Sequence, residues 1–185
     1  EETMSAFADS LIDMVLNDPS STTNIGYGSA NDIRGFNTTN MHYIVFNSYS
    51  TNFKNDVLRF AMNYAFDRDY IVSQLGGYAT AANLPINPAS NLYNESYAKQ
   101  FNYGLNKVQE MLTSAGMKDY DGDGFLEIKN GEELIEIELN LLVYSGSTVK
   151  VNAAKKFAED MKSLGLQVTV NKQDWSNYKK LLEAG

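Results

Sequence analysis

The stretch DYDGDGFLE, Asp119 to Glu127, offers carboxylates at a spacing that could do chemistry. Asp119, Asp121 and Asp123 stand at positions 1, 3 and 5 of a calcium-type loop, and Gly124 stands at position 6. Carboxylates so placed suit a hard cation that takes only oxygen ligands. Position 12 of such a loop calls for a bidentate Glu, and here it is Asn130; Glu127 falls at position 9, which usually reaches the metal through water. Gly116 ends the helical pattern before the loop and the strand-like FLEI follows it, so this is not an EF-hand. Two readings stay open. One is a reduced loop holding Ca2+ through Asp119, Asp121, Asp123 and the Phe125 carbonyl. The other is a turn in which Asp and Gly supply side-chain caps and positive φ between a helix and a strand.

Other chemistry is thinly represented. The single histidine, His42, lies inside the apolar run MHYIVFNSY, and a lone strand histidine is more often structural than catalytic. A general base would need a positioned partner, and no G-x-S-x-G or H-E-x-x-H pattern supplies a setting. No spacing singles out a pair among the 23 acidic residues. GYGS at 26–29 lacks the following Lys and the strand–turn–helix context of a phosphate loop. With no cysteine, disulfides, thiolate metal sites and a thiol nucleophile are excluded. The expectation is a non-enzyme with no required cofactor, Ca2+ being the one candidate ion.

Aromatic residues near strand ends suggest binding instead. Tyr43, Phe46 and Tyr49 lie near the end of one strand pattern; Tyr144 and Ser145 end another and lead into a helix. In open α/β sheets, ligands sit beyond the carboxyl ends of strands, where helix N-termini offer free N–H groups. The alternative for each aromatic is core or rim filler.

The elements that must position these residues are legible from periodicity. Residues 3–10, with Leu11 just after, place Met4, Phe7, Ala8 and Leu11 at helical spacing, and IDMVLND reads as a short buried strand ending at Asp18-Pro19. Residues 17–31 read as a polar loop, and IRGFNTT and MHYIVFNSY as an antiparallel pair. Val57, Leu58, Ala61, Met62, Ala65 and Phe66 form one helical stripe behind an N-cap at Asn55 or Asp56. Asp67 opens a second helix with Tyr70, Ile71 and Leu75 inward, closed by Gly76-Gly77. Residues 78–100, with Pro85 and Pro88, read as a long irregular segment. LNKVQEMLTSAG is a helix. ELIEIELNLLVYS is one strand with Ile135, Ile137, Leu139 and Leu141 on its apolar face. A helix over STVKVNAAKKFAEDMKSLG, a strand over LQVTVNKQ and a closing helix over WSNYKKLLEAG follow. Strand–helix–strand from 134 to 171 predicts a right-handed βαβ unit with parallel strands. The class is α/β, a mixed β-sheet with helices packed on it.

The 185 residues are 43% hydrophobic, enough for one domain with its own core. The net charge of −8 and the absence of a Lys/Arg run argue against nucleic acid as a partner. No stretch approaches the roughly 18–20 apolar residues of a membrane span. The acidic start EETMSAFADSL does not read as a signal peptide, and both ends fall abruptly inside helical patterns, so the expectation is an excised piece of a longer chain.

Read in order, six stretches resemble extracellular solute-binding protein family 5, the oligopeptide, dipeptide and nickel receptors of ABC importers. FKNDVLRFAMNYAFDRDYIV, residues 53–72, matches the pattern F-x-D-x-R-V-R-x-A-h-x-Y-A-h-D-R-x-x-I at Phe53, Asp56, Val57, Arg59, Ala61, Tyr64, Ala65, Asp67, Arg68 and Ile71; Leu58 departs from it. YIVFN is similar to the family's strand ending in Phe46-Asn47, and AFADSLIDMVLNDP to its A-F-x-x-G-x-I-D opening, with Ser10 for Gly. GGYATAANLPINP resembles the loop G-x-A-x-P-A-x-x-P-I-P-P with Ala for the first Pro. KVQEMLTSAGMKDYDGDGFLE and AEDMKSLGLQVTVNKQDWSNYKKLLEAG resemble the later helix–loop and strand–helix motifs. The resemblance spans residues 1–185 as a single domain: the second lobe of a two-lobed, type II periplasmic-binding-protein (Venus-flytrap) fold.

The resemblance implies a receptor that closes two lobes on a peptide-like solute and delivers it to a membrane permease. It implies an extracytoplasmic location, as a cell-surface lipoprotein or in the periplasm. The partners it implies are the first lobe of the same chain, an oligopeptide or related small solute, and the ABC permease. Ligand-binding positions carried over are Asn47, Tyr49, Tyr78, Ala79, Ala81, Tyr144, Ser145 and Gly146. Arg59, Asp67 and Arg68 are expected to fix helix ends through ion pairs and caps. The rival reading is an acidic calcium-dependent interaction module centred on residues 119–127.

Overall fold

The computed structural model describes residues 2–16, 32, 34–36, 38–50, 52–76 and 78–184. The polar loop expected over 17–31, and Gly77 and Gly185, lie outside the described residues. The chain divides into two units, Glu1–Asn40 and Met41–Gly185.

In the first unit, the helical spacing of residues 3–11 yields helix α1, Glu2–Ala8. The strand expected at 12–18 does not form among the described residues 12–16: Met14 is 88% and Leu16 81% exposed. An apolar run becomes a strand only where a ladder accepts its backbone groups, and this one has none there.

The second unit carries the core. The run 41–49, expected as a strand, forms none among the described residues; it is largely exposed and ends in a turn in which the Ser50 N–H donates to the Asn47 carbonyl at 3.1 Å. A 3-10 turn at Asn52–Lys54 then leads into α2, Asp56–Ala61, which continues as a 3-10 turn over Met62–Tyr64. Asn55 caps α2 by accepting from the Leu58 N–H at 3.1 Å. Asp67 caps α3, Arg68–Ser73, by accepting from the Tyr70 N–H at 2.9 Å. Each cap satisfies a backbone donor that the helix start leaves unpaired. Arg59 and Arg68 act through carbonyls rather than the expected ion pairs. The Arg59 guanidinium donates to the Phe53 carbonyl, and that of Arg68 to those of Asn63 and Phe66, at 3.1 and 3.4 Å. Burial pulls the Arg68 guanidinium below its ordinary pKa.

The segment 78–104 is irregular apart from α4, Glu95–Ala98, and a 3-10 turn at Lys99–Phe101. Helix α5, Leu105–Ser114, leads to the Asp/Gly loop and then to β1, Glu127–Asn130, and β2, Glu133–Glu136, an antiparallel hairpin. The continuous strand expected from 134 onward is broken at Ile137, whose N–H donates to the Leu126 carbonyl at 2.9 Å. The chain thereby leaves one ladder and enters another. β3, Glu138–Tyr144, pairs in parallel with β4, Gln167–Gln173, across α6, Thr148–Ser163, as the strand–helix–strand pattern predicts. Helix α7, Trp175–Ala184, follows. The α/β class holds, but in place of the one mixed sheet expected the described residues form two two-stranded sheets, one antiparallel and one parallel.

The core gathers the predicted stripe of α2 (Leu58, Ala61, Met62, with Ala65 and Phe66 beyond), Val108 and Leu112 of α5, Ile137 and Leu139, and Phe157 and Met161 of α6. The Phe66 and Phe157 rings stack at 4.3 Å. At its edge sits a polar lock. Asp160 accepts from the Lys156 ammonium at 2.6 Å on both oxygens and from the Tyr103 hydroxyl at 3.0 Å. Asp67 Oδ2 lies 3.9 Å from the same ammonium. The lock ties α6 to the N-cap of α3 and the approach to α5.

Candidate functional site

The parallel register places Tyr144 opposite Gln173, so the carboxyl ends of β3 and β4 share one edge. There the Ser145 N–H donates to the Gln173 carbonyl at 2.8 Å. The Ser147 hydroxyl caps α6 from this edge, accepting from the Lys150 N–H at 3.4 Å. β4 turns directly into α7. The Asp174 carboxylate caps α7, accepting from the Asn177 N–H at 3.0 Å and from its side-chain amide at 2.8 Å. These hydrogen bonds, first that from the Asn177 backbone, hold the Asp174 carboxyl below the usual carboxylate range. The cap orients the first turn of α7 so that Trp175 meets Tyr144 edge to face at 5.4 Å and stacks on Tyr178 at 5.9 Å. Trp175 remains 60% exposed. A Cβ at position 146 would run into the Tyr144 ring, so Gly146 is what lets that ring fold back beside the strand end. The result is an aromatic face beside backbone and hydroxyl groups, chemistry that stacks on and hydrogen-bonds neutral polar ligands.

Among the sequence-predicted positions, Tyr144, Ser145 and Gly146 are contiguous here. Asn47 and Tyr49 form a separate turn, with the Asn47 side chain accepting from the Tyr49 N–H at 3.0 Å. That turn leads to Asn52, whose amide donates to the Glu138 carbonyl at the opposite end of β3, roughly 20 Å along the strand from Tyr144 at ~3.3 Å per residue. Tyr78, 69% exposed, and the half-buried Ala79 and Ala81 follow α3. Trp175 and Tyr178 were not singled out from sequence. Their signal was available: they follow a strand parallel to the one that ends in Tyr144, and they stand i, i+3 on a helix.

The Asp/Gly loop forms a second constellation. Carboxylate oxygens of Asp119, Asp121, Asp123 and Glu127 all lie within 4.8 Å of one another. The loop is folded by its own aspartates. Asp119 accepts from the Gly122 and Gly124 N–H groups at 2.6 and 3.0 Å, Asp121 from that of Asp123 at 3.2 Å, and Asp123 from that of Phe125 at 2.8 Å. Glu127 is different in kind. It is buried, 1% exposed, and Oε2 accepts from the Tyr120 N–H at 2.7 Å while Oε1 has no partner. Sequence position suggested contact through water, whereas the fold brings this carboxylate into the cluster itself. Carboxylates gathered this closely repel one another, less so where they are exposed to solvent. Nearby, the Glu136 carboxyl is pushed up, by desolvation first and then by the negative charges of Asp123, Glu138, Glu127 and Asp121.

An open α/β edge with an aromatic platform, carried on a parallel β–α–β unit, is the kind of place where α/β proteins bind ligands. Comparison identifies the family. The family described as bacterial extracellular solute-binding proteins, family 5 Middle, matches residues 2–185, and the chain belongs to it. The oligopeptide-binding protein AppA of Bacillus subtilis is 34% identical over 136 residues, covering 72% of this chain and 24% of that protein. The structure of AppA in complex with a nonapeptide superposes with a TM-score of 0.61 at 32% identity, covering 73% of this chain and 26% of that one. A mannohexaose-bound periplasmic oligopeptide-binding protein from Thermotoga maritima gives a TM-score of 0.60 at 27% identity, covering 71% and 25%. The fold is that of the type II periplasmic binding proteins, and the chain spans about a quarter of the length of the relatives it matches.

Proposed function

We propose that this chain is one lobe of a two-lobed receptor that captures peptide-like solutes outside the cytoplasmic membrane and hands them to an ABC permease. The observation that carries the reading is family membership over residues 2–185 together with 34% identity to a protein named for oligopeptide binding. The same membership supports an extracytoplasmic setting, and the proposal takes it as the periplasm or a lipoprotein anchor at the cell surface. Capture is closure: solute touches both lobes only in the closed form, so its binding energy shifts the population toward that form. Tyr144, Ser145 and Trp175 supply this lobe's share of contact, the aromatic faces by stacking and Ser145 by hydrogen bonding. No catalytic step is assigned. His42 is exposed outside any helix or strand, and the relatives above carry the names of binding proteins.

The test is calorimetric titration of the two-lobed protein with peptides of graded length and, in parallel, with a mannose oligosaccharide. Saturable binding of peptide, weakened by Trp175→Ala, is expected. Binding of the oligosaccharide alone would overturn the peptide assignment, and binding of neither would overturn the receptor reading.

A further inference from the structure

We propose that the loop between α5 and β1 binds one Ca2+ ion through the carboxylates of Asp119, Asp121, Asp123 and Glu127. Acidic residues clustered on a surface are common without an ion, so the case rests on Glu127. Its carboxylate is buried, one oxygen is satisfied by the Tyr120 N–H, and the other, Oε1, is enclosed with no donor. A buried carboxylate oxygen needs a proton donor or a cation, and an oxygen of this carboxylate lies within 4.8 Å of carboxylate oxygens of Asp119, Asp121 and Asp123. Two oxygens bound to one Ca2+ at about 2.3–2.6 Å can lie at most about 4.6–5.2 Å apart. The four carboxylate oxygens, all within 4.8 Å of one another, fit that span. The donor set is oxygen only, which selects hard cations. The Phe125 carbonyl and water would complete the roughly six to eight ligands calcium accepts, whereas Mg2+ demands a tighter octahedron and sheds its water reluctantly.

The position of the loop gives the ion a structural role. Lys118 and Glu127 bridge across it through two backbone hydrogen bonds, at 3.2 and 2.9 Å. The Leu126 N–H donates to the Gly165 carbonyl at the end of α6 at 2.8 Å. A Cβ on Gly165, whose φ is +81°, would meet the Gly124 carbonyl at 2.9 Å, so loop and helix end are in close contact. An ion at the four carboxylates therefore pins α5, the β1–β2 hairpin and α6 at one corner, away from the aromatic edge.

The experiment uses the chain stripped of metal by chelator, titrated with calcium chloride and separately with magnesium chloride, followed by calorimetry and thermal melting. One Ca2+ per chain, a rise of several degrees in melting temperature, and a markedly weaker response to Mg2+ are expected. Asp121→Asn and Asp123→Asn, both at exposed positions, should each weaken calcium binding roughly tenfold or more, since affinity follows ligand charge. They should leave the metal-free melting temperature unchanged or higher. Glu127→Gln keeps an acceptor for the Tyr120 N–H and should abolish saturable binding. Absence of saturable calcium uptake in the millimolar range, or uptake that survives Asp121→Asn and Asp123→Asn together, overturns the site. An equal response to Mg2+ overturns its assignment to calcium.

Discussion

Replacing Asp160 with Asn removes one charge from the lock between α3, α5 and α6 and little else. The side chains of Lys156 and Asp160 are 26% and 12% exposed, so the pair is well withdrawn from water. Removing one partner of a buried pair costs ~3–5 kcal/mol, because the remaining charge is stranded. Two features lower that figure here. Lys156 keeps Asp67 at 3.9 Å, and the ammonium retains some solvent. Against this, the Asn amide would face the ammonium with donors on one side, and the Tyr103 hydroxyl would compete for the single remaining acceptor. About 2–3 kcal/mol is the expected loss once solvent is allowed for. At ~2–4 °C per kcal/mol for a chain of this size, that is a fall of roughly 4–12 °C in melting temperature. Urea denaturation of the wild type, Asp160→Asn and the triple variant Lys156→Met/Asp160→Leu/Tyr103→Phe gives the test. Well-packed apolar replacements of a buried pair are often neutral or better, so the triple variant should recover most of the loss. A loss below about 0.5 kcal/mol for Asp160→Asn, the range of a surface pair, or a triple variant no better than the single one, would refute the reasoning.

Other expectations are as direct. Phe157→Ala should cost ~3–5 kcal/mol by equilibrium denaturation, since it removes a ring that is 4% exposed and stacked on Phe66. The same lock gives an alkaline limit. Burial and the hydrogen bond to Asp160 push the Tyr103 hydroxyl above its ordinary value of 10.0. Burial pulls Lys156 down, but its hydrogen bonds to Asp160 and Tyr103 outweigh this and raise it above 10.5. Both folded values are raised, so the stability these groups contribute is intact below about pH 10 and lost as pH climbs through the folded values. The gap in melting temperature between wild type and Tyr103→Phe should be constant from neutral pH to pH 9 and close above pH 10; a gap that widens there contradicts the assignment.

The helical and βαβ parts of the fold were legible because local signals agreed with tertiary ones. Asn55 and Asp67 cap the helices they announce, and the stripe from Leu58 to Phe66 is the face that is buried. The apolar run at 12–18 and the β-rich stretch at 41–49 read as strands, but such composition reports only that a segment suits a sheet, while pairing is a long-range event. Ile137 was misread because its neighbours alternate on both sides; the change of ladder is a long-range event with no local mark. At the strand ends, Tyr144 was visible and Trp175 was not, because pairing the two requires knowing that β3 and β4 end together. In the acidic loop the three aspartates were plain from spacing. That Glu127 is buried beside the three aspartates was not legible, because burial of a carboxylate is a tertiary fact.

The central proposal, that this chain is one lobe of a two-lobed clamp, is tested most directly by titrating an oligopeptide pool into two samples: residues 1–185 alone and the longer two-lobed protein that the proposal calls for. The account predicts saturable binding with compaction, seen as a smaller radius of gyration in solution scattering, for the two-lobed protein, and negligible binding by the isolated chain. Micromolar binding by the isolated chain, or peptide binding by the two-lobed protein without compaction, would contradict it.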